Sequence, residues 1–84
     1  MKTFDDLIWE DGSDESIGII VAQMIFSNGF TIIVERYQEN EKKDIEHPYI
    51  VQVKRYYEFQ TNLTANRCSI TKVNEIMEKI QGYM

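Results

Sequence analysis

The chain lacks any stretch of roughly 18 apolar residues, and it lacks a charged-then-apolar leader ending in small residues. Neither a membrane span nor a secretory signal is therefore read, and a cytoplasmic setting is expected. Cysteine is almost absent. Cys68 alone cannot close an internal disulfide, which suits a reducing compartment and a free structural thiol. The only histidine is His47, and no nucleophile–base pattern, phosphate-binding glycine loop or metal-ligand spacing accompanies it. No enzyme activity, cofactor or metal is expected on that basis. Alternating oxygens at Asp11, Ser13 and Glu15 do not complete a calcium-loop pattern, so a solvated loop is the reading there. A surplus of basic residues is missing too: 9 Lys and Arg face 14 Asp and Glu, a net charge of -5 that disfavours direct nucleic-acid binding. Repeats and low-complexity tracts are absent, and 84 residues leave room for one core.

What is present is organised around Ile17 to Tyr37, two apolar runs joined by Ser27-Asn28-Gly29. Asn-Gly between such runs is a strong β-hairpin signal. A two-residue loop would set Phe26 opposite Thr31 and mix apolar with polar positions. A three-residue loop with Gly29 in the left-handed conformation pairs Phe26 with Phe30 instead. Ile20, Ala22, Met24, Phe26, Phe30, Ile32 and Val34 then share one face, and burial of one face is what normally fixes register.

The remaining elements follow in order. Thr3-Phe4-Asp5-Asp6 reads as a capped single turn, and Leu7-Ile8-Trp9 as a short strand or packing arm. Gln38 to His47 is a charged connection that Pro48 ends. Tyr49 to about Phe59 alternates as a third long strand, with a bend near Arg55-Tyr56. Its Lys54-Arg55-Tyr56-Tyr57 interleaves cations and aromatics as single-strand nucleic-acid binders do, although snorkelling cations on a strand give the same pattern. Gln60 to Arg67 is polar and turn-like. Val73, Ile76, Met77 and Ile80 form the stripe of an amphipathic helix, with Ser69 or Thr71 as N-cap and Gly82 as the residue past its end. The expected architecture is α+β: one domain over 1–84, with an acidic segment at 1–16, a three- to four-stranded antiparallel meander at 17–59, and one C-terminal helix at 69–82 packed on one face.

Two features bear on function. The first sixteen residues hold Asp5, Asp6, Glu10, Asp11, Asp14 and Glu15 against Lys2 alone, so they carry the whole net charge. With Trp9, an aromatic of the kind enriched at binding hot spots, these acids are candidate contacts for a basic protein partner. The second feature is the sheet's other face, where Ile19, Val21, Ile25, Ile33 and Ile50 stand beside Gln23, Thr31 and Gln52. One helix cannot cover both faces. Either Phe4, Leu7 and Trp9 fold across the second, or another protein does, and the five aliphatic residues are candidate contacts of a homodimer through that face or a sheet edge.

Thr3-Phe4-Asp5-Asp6-Leu7, Phe26-Ser27-Asn28-Gly29-Phe30 with Ile32 and Val34, Tyr49 with Val51 and Val53, and the Val73 to Gln81 helix together resemble a loose group of small phage and prophage proteins. Those chains share an opening turn, a Phe-x-Asn-Gly-aromatic hairpin and a short final helix. This chain departs from them at Ile33 and in its long charged connection. The resemblance implies a phage setting in a host cell. By analogy with acidic phage inhibitors of bacterial defence, anti-CRISPR proteins among them, it implies binding and blocking of a nucleic-acid-binding effector such as a defence nuclease. The alternative is a self-associating structural or interaction protein.

Overall fold

The Asn28-Gly29 turn forms with the register that burial of one face demands. In the computed structural model, which describes residues 1–10, 19–37 and 42–83, strand β1 (Ile19–Ile25) pairs antiparallel with β2 (Phe30–Tyr37), Ile25 opposite Thr31. The Phe26 N–H donates to the Phe30 carbonyl (2.8 Å), which closes a three-residue loop, and Gly29 takes φ +91°. Strand β3 (Tyr49–Arg55) follows directly after the buried Pro48 and pairs with β2, Ile32 opposite Val53.

Beyond β3 the chain departs from the expected bent strand. It reverses at Tyr56-Tyr57, and β4 (Glu58–Phe59) returns along β3 with Phe59 opposite Lys54. Tyr56 adopts φ +56°, a conformation that costs an L-residue about 1 kcal/mol. After a 3-10 turn at Thr61–Leu63, the stretch expected as turn-like also contains a strand, β5 (Ala65–Cys68), on the same edge of β3. The sheet thus has five strands, β1 to β4 in meander order with β5 beside β3.

Helix α1 (Ile70–Gln81) closes the described chain. The Ser69 Oγ accepts the Lys72 N–H (3.1 Å) as its N-cap. Gly82 stands just past the other end, as expected, and caps it at φ -83°, so this position does not use glycine's freedom. Val73, Ile76, Met77 and Ile80 are buried against Phe30, Ile32, Val34, Val51 and Val53. At the far end Asn28 ties sheet to helix: its carboxamide donates to the Ile80 carbonyl (2.8 Å) and the Tyr83 carbonyl (3.2 Å).

The N-terminal residues settle on the helix side of the sheet, not across the second face. The Thr3 N–H donates to the Asp6 carboxylate (2.8 Å), forming the expected turn at Phe4–Asp6. The Phe4 N–H donates to Asn74 Oδ1 (2.8 Å), and the Gln81 carboxamide exchanges hydrogen bonds with the Lys2 backbone (2.7 and 2.8 Å). Leu7 enters the core. Trp9, half-buried, forms an aromatic cluster with Phe4 and Tyr49 and bridges to Ala22 on the outer edge of β1.

Candidate protein-binding face

With the helix and the N-terminal strap on one side, strand alternation sends every second residue to the other. Three cross-strand rows result: Val21, Glu35 and Ile50; then Gln23, Ile33 and Gln52; then Ile25, Thr31, Lys54 and Phe59. Four of the five aliphatic positions expected to act together, Val21, Ile25, Ile33 and Ile50, therefore lie on one surface. The fifth, Ile19, starts β1 at the register position opposite Tyr37. Val21, Ile33 and Ile50 are half-buried by their strand neighbours, and Ile25 is 74% exposed.

Lys54 belongs to this face, as its alternation with Val53 implies, and so does Phe59, which the sequence reading did not place there. A straight strand through residue 59 would have set Phe59 with Val51 and Val53 on the core side. The two-residue reversal inverts its facing, leaving it 57% exposed. The turn carries no Gly, Asn or Asp, so the usual hairpin signal is missing.

Lys54 and Glu35 on this face are each held by an aromatic neighbour. Lys54 Nζ sits 4.6 Å from the centre of the Phe59 ring. At the opposite end the Tyr37 hydroxyl donates to the Glu35 carboxylate (2.7 Å), and this bond, with burial and the Glu35 charge, raises the phenol above its ordinary pKa. Tyr57, at the tip of the reversal, is 98% exposed.

The acidic candidates divide. Asp6 is engaged by the Thr3 N–H in the opening turn, Asp5 and Glu10 are exposed, and the Glu10 N–H donates to the Val21 carbonyl (2.9 Å). Trp9 packs at the rim of the core. Asp11, Asp14 and Glu15 lie outside the described residues, as does Ser13.

His47 and Cys68, the residues of a hypothetical nucleophile–base pair, line one cleft. His47 Nδ1 lies 2.9 Å from Asp44, whose carboxyl is held below its usual range chiefly by that bond. Burial pushes the Cys68 thiol up, against a smaller opposite pull from Lys72, so the thiolate is disfavoured. Among the described residues no group of His, Cys, Asp and Glu is placed to hold a metal ion, and no helix is long and apolar enough to cross a membrane. Compared with protein-family models, with curated proteins and with solved structures, the chain matches none.

Proposed function

We propose that the protein is a small binding module that acts by occupying the surface of another protein, without chemistry of its own. The observation that carries this reading is the open face: Val21, Ile25, Ile33, Ile50 and Phe59 stand on it, interspersed with Gln23, Thr31, Glu35, Gln52 and Lys54, and the described elements outside the sheet pack on its other side. Apolar residues gathered on one uncovered sheet face and mixed with polar ones are what a protein contact surface carries. In the setting that the resemblance to phage proteins implies, the partner is a basic, nucleic-acid-binding effector in the host cytoplasm, and the effect is inhibition. Charge segregation supports that choice, because six acids in the first sixteen residues steer a basic partner toward the molecule.

A photoreactive amino acid in place of Ile33, compared with one in place of the exposed Glu78 on the outer side of α1, tests the proposal in host lysate. Cross-linking of a protein from position 33 and not from position 78 is expected. Equal labelling from both positions, or none from either, would refute the face as the binding surface.

A further inference from the structure

We infer that Asn28 is a site of spontaneous deamidation that the folded turn keeps closed, and that reaction there, once the turn has opened, bars it from closing as before. Asn28 is the one asparagine of the chain that a glycine follows. Glycine leaves the next backbone nitrogen unshielded by a Cβ and free to bend toward the asparagine side chain. The chemistry is internal. The Gly29 nitrogen gives up its proton and attacks Cγ of Asn28, a C–N bond forms, and the side-chain amide leaves as ammonia. Water then adds to either carbonyl of the cyclic succinimide and opens it, so that aspartate or iso-aspartate stands at position 28 and a negative charge is gained.

In the folded chain both reacting groups are engaged. The Gly29 N–H donates to the Phe26 carbonyl (3.2 Å), so the proton that must leave is held within the loop, and the Gly29 carbonyl accepts the Tyr56 N–H (2.8 Å) from the neighbouring reversal. The carboxamide is held as well. Its amide hydrogens reach the Ile80 and Tyr83 carbonyls (2.8 and 3.2 Å), and its oxygen accepts the Phe30 N–H (3.4 Å). Attack requires Cγ and the Gly29 nitrogen to approach each other with these bonds broken, so the site reacts only from an opened state.

The gate is the end of α1. Ile80 and Tyr83 stand where bonding within the helix runs out, and such ends open at far lower free energy than a core. Tyr83 is held there by its ring, 5.1 Å from that of Phe30 between centroids. Succinimide formation is slow beside such opening, so its rate follows the equilibrium population of the open turn. The product cannot restore the cap. Aspartate has no N–H to donate and sets a carboxylate against two carbonyl oxygens. Iso-aspartate routes the main chain through the side chain and adds a backbone atom to a loop whose length fixes the register of β1 on β2. The row next to the turn, Ile25, Thr31, Lys54 and Phe59, belongs to the open face, so reaction at Asn28 also sets a lifetime on that surface.

Peptide mapping by mass spectrometry is the test, on the full chain incubated in neutral buffer and in guanidinium chloride, with the exchange of amide for carboxyl read on the peptide that carries Asn28. The unfolded chain is expected to react at least about tenfold faster than the folded one, since the folded turn is open only a fraction of the time. Tyr83→Ala, folded by circular dichroism, is expected to react faster than the folded parent by more than its loss of global stability accounts for, because the helix end has lost its hold on Phe30. Anion exchange separates the reacted chain by its added charge, and that chain should melt below the parent. Equal rates in buffer and denaturant, or no reaction in denaturant, would overturn Asn28 as a site closed by the fold. A folded Tyr83→Ala that reacts no faster than its global stability accounts for would overturn the helix end as the gate. A reacted chain as stable as the parent would overturn the bar to reclosure.

Discussion

Two glycines look alike in the sequence and differ in the structure. Gly29 sits at φ +91°, and a Cβ there would come within 2.6 Å of the Tyr56 ring. The ring is exposed and can swing aside, so the durable cost is the backbone conformation. Gly82 has φ -83°, and its Cβ would meet nothing nearer than 3.5 Å. Gly29→Ala should therefore lower the free energy of unfolding in urea by about 1–2 kcal/mol. Gly82→Ala should leave it unchanged or raise it by up to about 1 kcal/mol, through a less flexible unfolded chain. Equal effects at the two positions would show that Gly29 is not held in the left-handed region. The hairpin reading succeeded at Gly29 because facing and turn chemistry agreed there. At Gly82 position alone located the end of the helix correctly, but position does not say whether the cap is left-handed or helical.

At the scale of elements, legibility followed periodicity. β1, β2 and α1 have regular apolar spacing and adopt the predicted register and facing. β4 and β5 have none: Glu58-Phe59 is too short to alternate, and Ala65-Asn66-Arg67-Cys68 pairs with β3 by backbone bonds with only its ends turned toward the core. The role of Asn28 was half legible. Its place in the turn follows from sequence, but its capping of α1 from across the molecule required the tertiary fold. That cap uses the amide hydrogens, so Asn28→Asp would set a carboxylate against two carbonyl oxygens. Asn28→Ala should destabilise by about 1 kcal/mol, and Asn28→Asp by about 2–3 kcal/mol at neutral pH. Urea melts of both variants check this, and an Asp variant as stable as the Ala variant would mean that the cap contributes little.

For the molecule as a whole, the proposed function divides binding between approach, by the acidic segment, and contact, by the open face. The apolar face was legible in outline from the alternation of β1, β2 and β3, Lys54 included, whereas the place of Phe59 depended on a turn without turn residues. The acids are not equivalent. Asp6 accepts the Thr3 N–H in a turn that joins the helix through Phe4 and Asn74, so Asp6→Asn should lower stability. Replacing Asp11, Asp14 and Glu15 together by Asn or Gln should leave the melting temperature unchanged, because the sequence there reads as a solvated loop and exposed loop charges contribute little to folding. The effect should fall on encounter with the basic partner captured through position 33. At low salt the association rate should drop by about tenfold, the dissociation rate should hold, and the salt dependence of association should flatten, because charges at this range act through a field screened over about 8–10 Å. Stopped-flow association at several ionic strengths reads all three. If the triple variant associates at the parental rate with the parental salt slope, the acids serve solubility alone, and the open face carries recognition without steering.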